Sequence, residues 1–277
     1  MPELPEVETV VRGLAHALTG KRLARLDLAR PDLRSTIPPG LAAQIAGKRI
    51  ERIARRAKYI LIHLEDGGVV IVHLGMSGRL IIVPPGAATP RAKHDHAVFY
   101  IDDGSELRFN DARRFGLLDY AEEAQLAVHP RFRHLGPEPL SNAFNGPMLA
   151  ASLHGKQTSI KAALLDQRVV AGIGNIYACE ALYGAGLSPR RLARAVQGDR
   201  AERLATAIHD VLTRAIAAGG SSLRDYVQTS GELGYFQHHW AVYGKEGEPC
   251  PGCDCGSSIK RIVQGARSTF YCAKRQK

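Results

Sequence analysis

Apolar residues are spaced in three regimes along the chain. Val7, Val10, Val11, Leu14 and Leu18 recur at helical intervals, so Glu6 to Leu18 is predicted to form one amphipathic helix. A long strand-rich stretch follows. Tyr59–Leu64 and Val69–Leu74 flank Asp66-Gly67-Gly68, which predicts a hairpin. Arg79–Val83 is a further strand. His96–Ile101 and Glu106–Phe109, joined by Asp102-Asp-Gly-Ser105, form a second hairpin. His134-Leu-Gly-Pro-Glu-Pro-Leu140 is rich in Pro and Gly and reads as a linker or hinge. Beyond about residue 145 the period turns helical again. Ser159–Gln167 is one short helix. Asn175–Tyr183 is another, entered through Gly172-Ile-Gly174 and closed near Gly184. Asp199 and Glu202 have capping-box spacing ahead of Leu204, Ile208, Val211, Leu212 and Ala215, and Gly219-Gly220 ends that helix. Ser221 to Phe236 is polar, contains Gly231 and Gly234, and reads as a mobile loop. There is no internal repeat.

Composition narrows the class. The 277 residues, 45% of them hydrophobic, suffice for a sizeable core and two domains. A net charge of +10 and a pI of about 9.6 suit a polyanionic partner, nucleic acid before an anionic membrane, although excess Lys and Arg can also serve solubility alone. No apolar run reaches the ~20 residues that span a bilayer. Glu3, Glu6 and Glu8 stand where a signal peptide carries a basic region, so a soluble cytoplasmic protein is expected.

Several short motifs carry chemistry. If Met1 is removed, Pro2 presents a secondary α-amine beside the Glu3 carboxylate. An α-amino group has a reference pKa of about 7.7–8.0, so part of it is an uncharged nucleophile near neutrality. Such an amine forms an imine with a carbonyl or sugar carbon, and Glu3 is placed to move protons. The plain alternative is a proline opening a helix. Asp111-Ala-Arg113-Arg114-Phe115-Gly116 and His73-Leu-Gly-Met76-Ser-Gly78 put an aromatic, a thioether and cations on turns. Those side chains either wedge into a base stack or belong to the core. Gly172-Ile-Gly174-Asn175 is an anion site at a helix start or simply a cap. Arg267, in a turn beside Phe270 and Tyr271, reaches a phosphate, a reaction centre or solvent.

Of five cysteines, Cys179 sits in an apolar helical stretch and reads as a core thiol, whereas Cys250, Cys253, Cys255 and Cys272 crowd the C-terminal segment. Thiols on Gly- and Pro-containing turns favour one tetrahedral structural zinc over unliganded thiols.

Taken together and in order, these motifs resemble one family. Met1-Pro-Glu-Leu-Pro-Glu-Val-Glu-Thr9, Arg56-Ala-Lys58-Tyr59, His73–Gly78, Lys93-His94-Asp-His96, Asp111–Gly116, Leu135–Leu140, Gly172–Tyr177 and the Cys segment are similar, over essentially the whole length, to bacterial formamidopyrimidine-DNA glycosylases. The resemblance implies an α+β chain in which an N-terminal helix and β-sandwich (1–133) and a hinge (134–145) precede a helix–two-turn–helix domain (146–240) and a zinc-ribbon-like hairpin (241–277). Double-stranded DNA carrying oxidised bases or abasic sites would lie in the cleft between domains, bound by a monomer. The implied activity is removal of oxidised purines followed by strand cleavage. Extruding the target from the stack costs a few kcal/mol and is one source of selectivity. The resemblance gives Pro2 the role of nucleophile at C1′, Glu3 that of acid at the sugar ring oxygen, and Lys58 and Arg267 those of proton donors for β- and δ-elimination. It gives DNA contacts to His94, Arg113, Lys156, Lys161 and Asn175, and gap filling to Met76, Arg113 and Phe115. Ser221 to Phe236 corresponds to the loop over the extruded base. A related class preferring oxidised pyrimidines, and a non-catalytic lesion-binding protein, are the alternatives. Leu4 and the Met76/Arg113/Phe115 set resemble the purine branch.

One departure stands out. The family's hairpin ends Tyr-Cys-x-x-Cys-Gln, but here Arg275 holds the last Cys position, and Arg is not a metal ligand because it stays protonated. Either Cys250, Cys253, Cys255 and Cys272 together bind zinc, or the site is weakened or absent and packing alone holds the hairpin.

Overall fold

The computed structural model describes residues 1–87, 89–221, 235–252 and 256–277. Its contacts divide the chain into two compact units, one made of residues 1–133 and 218–235, the other of 134–217 and 236–277.

The first unit opens with α1 (Leu4–Leu18), then β1 (Leu23–Leu28), α2 (Leu41–Ile45), β2 (Ile50–Arg56), β3 (Tyr59–Leu64), β4 (Gly68–His73), β5 (Arg79–Val83), β6 (Asp95–Ile101), β7 (Glu106–Asn110) and β8 (Leu117–Glu122). Two antiparallel four-stranded sheets result, with strand orders β1-β6-β7-β5 and β2-β3-β4-β8. Apolar side chains of α1 and of both sheets share one core, from Val7, Leu14 and Leu18 to Phe99, Leu107, Phe109 and Leu118. Strand β4 is buried at every position, which explains its unbroken Val-Val-Ile-Val run.

Two strands are written in a less regular pattern. In β1 the buried Leu23 and Leu26 are three residues apart, as in a helix, and in β2 so are Ile50 and Ile53. The register of each strand shifts between the first apolar residue and the second residue after it, at Leu23/Arg25 and at Ile50/Arg52. The bulge absorbs the extra residue, so both apolar side chains face the core. β8 closes its sheet against β4.

α1 starts two residues before the predicted Glu6. Glu3 is its N-cap and Pro5 occupies the first turn, so Pro2 precedes the helix rather than opening it.

The second unit contains α3 (Gly146–Leu153), α4 (Ile160–Leu165), α5 (Asn175–Gly184), α6 (Asp199–Ala217) and the hairpin β9 (Lys260–Gln264) with β10 (Arg267–Tyr271). Ser159 caps α4 by accepting the Ala162 N–H. The expected Asp199/Glu202 capping box is replaced by a longer-range contact. Both residues lie in the first turn of α6, and the Glu202 carboxylate accepts the Gly146 N–H at the start of α3, 3.3 Å away. Cys179 is buried against Tyr183, Val242, Cys250, Ile259 and Cys272, a core thiol as expected. Of the expected loop Ser221–Phe236, residues 222–234 lie outside the described residues. Ser221 and Tyr235 pair as an isolated bridge, and Phe236 is buried against Tyr177 rather than lying in a loop. Among the described residues no helix is long and apolar enough to cross a membrane.

Candidate functional site

In the first unit the N-terminal turn is buried and built around Glu6. Pro2 and Glu3 are buried, while Met1 is 40% exposed. One Glu6 oxygen accepts the Glu3 N–H at 2.9 Å, and the other accepts the Ser221 N–H at 2.8 Å. Glu6 therefore ties the turn carrying Pro2 and Glu3 to Ser221. Glycine suits position 220, because φ +79° strains any side chain and a Cβ there would sit tightly, 3.3 Å from Glu6.

Lys58 enters from the β2–β3 turn, where Ala57 has φ 53°. Lys58 is buried near His73, whose ring accepts the Gly75 N–H through Nδ1 at 2.9 Å. Burial first, then the charges of Lys58, Arg34 and Arg131, push the His73 pKa down to about 4. His73 is thus neutral, with Nδ1 as acceptor and the proton on Nε2. Its motif is visible in the sequence but its role is not, because its neutrality depends on neighbours from distant segments.

Met76, His94, Arg113 and Phe115 sit on three loops that converge on Asp111. The Asp111 side chain is fully buried and accepts Ser77 Oγ at 2.6 Å, the Gly116 N–H at 2.7 Å and the Arg113 N–H at 3.3 Å. Its N–H donates to the His94 carbonyl at 3.0 Å, and its own carbonyl lies 2.9 Å from His96 Nε2. A register shift in β6 between Asp95 and Ala97 places His96 there. Gly75 has φ +62°, and a Cβ on it would meet the Phe115 carbonyl carbon at 2.3 Å, so the two turns are in backbone contact. Met76 and Phe115 stay 36% and 43% exposed, unlike core residues, and the Arg113 guanidinium lies over the Phe115 ring at 4.9 Å.

The second unit brings together Lys161, Asn175 and the strand that carries Arg267. Lys161 is fully buried on α4 and donates to Asn175 Oδ1 at 2.6 Å. Asn175 Nδ2 donates to the Ser268 carbonyl at 2.9 Å and to the Tyr243 hydroxyl at 3.3 Å. Arg267 is exposed and opens β10, directly after Ala266 with φ 59°, rather than lying in the turn. Lys156 is half-buried, and its carbonyl accepts the Arg194 N–H at 3.2 Å. The Gly172–Gly174 loop is held by Gln167, which accepts the Gly172 N–H at 2.9 Å and donates to the Ile173 carbonyl at 2.8 Å. That Gly172 donor is therefore engaged within the protein, and Gly174 serves as the α5 N-cap.

Glu180 is a second organiser that sequence reasoning missed. It is buried on α5, and its carboxylate accepts the N–H groups of Ala241, Val242 and Tyr243 at 2.8, 2.9 and 2.8 Å. Desolvation raises its pKa against the pull of those three donors. An acidic residue in an apolar helix was the available signal.

At the foot of the hairpin Cys250 and Cys272 are buried, and Cys253 and Cys255 lie outside the described residues. Among the described residues no three His, Cys, Asp or Glu side chains gather as metal ligands. The donor chemistry present does not reproduce a tetrahedral four-thiolate set with its last ligand at 275, because that residue is a guanidinium.

Comparison with known proteins agrees with both halves. The model of the formamidopyrimidine-DNA glycosylase N-terminal domain matches residues 1–118, and that of the H2TH domain of the same glycosylase matches 135–227. The formamidopyrimidine-DNA glycosylase of Rhodospirillum centenum is 57% identical over 293 aligned residues, and that of Rhodospirillum rubrum 53% over 281, each alignment covering 100% of both chains. The crystal structure of the MutM (Fpg) protein from Thermus thermophilus is 40% identical with a TM-score of 0.88, covering 99% of this chain and 98% of that one. Lactococcus lactis Fpg, crystallised with DNA containing an abasic site, is 32% identical with a TM-score of 0.89, covering 99% of each chain. The same Lactococcus lactis protein was also crystallised with DNA containing an oxidised pyrimidine, and that structure too is 32% identical, with a TM-score of 0.89 and 100% of each chain covered. Matched by both domain models and similar to curated relatives from end to end, the chain belongs to the formamidopyrimidine-DNA glycosylase family, enzymes that act as DNA glycosylases on damaged bases and as AP lyases.

Proposed function

We propose that this chain binds duplex DNA as a monomer, excises oxidised purines such as 8-oxoguanine and formamidopyrimidines, and cuts the strand at the resulting site by β- and then δ-elimination. The buried N-terminal turn carries the reading, with Pro2 and Glu3 held by Glu6. Once Met1 is removed, the Pro2 nitrogen bonds to the sugar C1′ as the bond to the base breaks. Glu3 protonates the ring oxygen, and the opened sugar becomes a Schiff base on Pro2. Lys58 supplies the proton for β-elimination and Arg267 that for δ-elimination. His94, Arg113, Lys156, Lys161 and Asn175 contact the DNA, and Met76, Arg113 and Phe115 fill the gap in the stack. The exposure of Met76 and Phe115 on Asp111-anchored loops supports the last assignment. We take residues 134–145 as the hinge between the catalytic and helical domains, the latter extending to 240 and the hairpin filling 241–277. The family generally carries a structural zinc. In this chain it would need Cys250, Cys253, Cys255 and Cys272 together.

Borohydride trapping tests the reading. The protein is incubated with duplexes containing 8-oxoguanine or an oxidised pyrimidine, reduced, and digested. The expected result is an adduct on Pro2 that forms faster with the purine lesion. An adduct that forms faster with the pyrimidine lesion would support the second reading, which the oxidised-pyrimidine complex of the Lactococcus lactis relative favours. No adduct with either lesion would leave a lesion-binding protein.

A further inference from the structure

Arg275 stands where the resemblance calls for a metal-binding cysteine, and its side chain is engaged on three sides. Nη1 donates to the Gly252 carbonyl at 2.8 Å, Nε donates to the Tyr183 carbonyl at 3.4 Å, and the guanidinium lies over the Tyr183 ring at 4.9 Å. Tyr183 belongs to α5, is buried, and has its hydroxyl 3.4 Å from Cys250 Sγ. Gly252 fits against this ring because it lacks a side chain: a Cβ there would meet the Tyr183 hydroxyl at 2.4 Å. The turn around Arg275 is fastened as well. Gln276 is buried, accepts the Cys272 N–H at 2.8 Å and donates to the Leu187 carbonyl at 2.9 Å. The Arg275 N–H points to Cys272 Sγ at 3.5 Å, and the Lys277 N–H donates to the Gly186 carbonyl at 3.1 Å.

A tetrahedral zinc in such a hairpin joins two turns through two thiolates from each. Arg275 joins the same two turns, since its backbone belongs to one and its Nη1 holds the carbonyl of the other. It adds a third anchor on α5 that a metal bound only by the turns would lack. Arg suits this role because it stays charged, presents several donors in a fixed plane and stacks on an aromatic face. We infer that Arg275 is a guanidinium staple that closes the C-terminal hairpin and docks it on α5, and that this hairpin keeps its fold without zinc.

The test uses the full chain and needs no DNA. Zinc per chain is measured on the purified protein, and Tm is measured with and without a chelator for the wild type, Arg275→Ala, Arg275→Lys and Cys253→Ser. Hydrogen exchange is followed across residues 256–277. The expected results are a wild-type Tm unmoved by the chelator and an unchanged Cys253→Ser. Arg275→Ala should lower Tm by roughly 5 °C and speed exchange in β9 and β10. Arg275→Lys should fail to restore the loss, because one ammonium cannot hold both carbonyls and stack. The inference is overturned if zinc is present at one per chain and its removal, or Cys253→Ser, lowers Tm. It is equally overturned if Arg275→Ala leaves Tm and exchange unchanged. Borohydride trapping on Pro2 reads the proposed chemistry separately, so failure of one does not imply failure of the other.

Discussion

Replacing Asp111 with Asn should cost both stability and lesion recognition, and the structure sets the size of the effect. The carboxylate receives three donors, Ser77 Oγ, Gly116 N–H and Arg113 N–H, and none of its surface is exposed. Asn keeps the shape but turns one acceptor oxygen into a donor amide. If that amide faces Gly116, two N–H groups confront each other in a buried place. If it faces Ser77, the hydroxyl can turn to accept, and Arg113 keeps its second acceptor, Ser77 Oγ, at 3.2 Å. The second arrangement is cheaper, so it decides the cost. One charge-assisted bond is lost and another is weakened, each worth about 1.5–3 kcal/mol, for a net loss of about 3 kcal/mol. That corresponds to a drop in Tm of roughly 6–12 °C for a chain of this size. The Ser77–Asp111–Gly116 linkage also positions Met76 and Phe115. Affinity for a lesion duplex should therefore fall further than affinity for undamaged duplex, which rests mainly on phosphate contacts. Thermal denaturation and titrations against both duplexes measure the two effects. Unfolding within about 2 °C of the wild type, less than the shift that 1 kcal/mol gives, would show that Asp111 does not organise these loops.

Two further outcomes follow from buried charge. His73 is held neutral with its pKa pushed down to about 4 from 6.5, so folding disfavours its protonation. The stability this lends is present above about pH 6.5 and is lost as pH falls toward 4, for a total of about 3 kcal/mol at 1.36 kcal/mol per unit. His73→Asn, which keeps an acceptor for the Gly75 N–H, should unfold with a correspondingly shallower acid limb, and parallel limbs for the two proteins would refute the argument. Lys161→Met replaces a buried ammonium with an apolar side chain of similar size. It leaves Asn175 Oδ1 without its Nζ donor, so Tm should fall, and it should lower the slope of log affinity against log salt by about one, the signature of one lost phosphate contact. A slope equal to that of the wild type would remove Lys161 from the interface.

What was legible in the sequence depended on whether the cause was local. Strands β3 and β5 were readable to the residue, because runs such as Tyr59–Leu64 and Arg79–Val83 are bounded by turns or charged residues. β1 and β2 were not, because a bulge is set by the partner strand and leaves apolar residues at helical spacing. The Glu202 contact was misread for the same reason. Spacing alone suggested a cap within α6, and the donor it accepts is on α3. In the candidate site the side chains offered for chemistry were visible as motifs, while the residues that hold them were not. Asp111 and Glu180 act by accepting donors from other segments, the Ser77 hydroxyl 34 residues away and the Tyr243 N–H 63 residues away, and no local pattern records such partners.

The backbone supplies a signal that sequence did not. Among the described residues, three that are not glycine adopt a left-handed conformation: Ala57, Arg114 and Ala266, with φ of 53°, 58° and 59°. Each costs roughly 1–2 kcal/mol relative to the ordinary regions, so surrounding contacts must hold it in place. Ala57 precedes Lys58, Arg114 lies between Arg113 and Phe115, and Ala266 precedes Arg267. Glycine would adopt these angles more cheaply, but it would also leave the turn freer to move. Alanine at 57 and 266 keeps the steric cost low while retaining a Cβ that limits the backbone. At 114 the Arg side chain is exposed and does not crowd the turn. The three turns belong to unrelated hairpins and loops, so the shared feature is not inherited from one motif. Each fixes the direction in which a cationic or aromatic side chain leaves the backbone. A chain that accepts strain at these points gains fixed geometry at the side chains assigned to chemistry and to the stack.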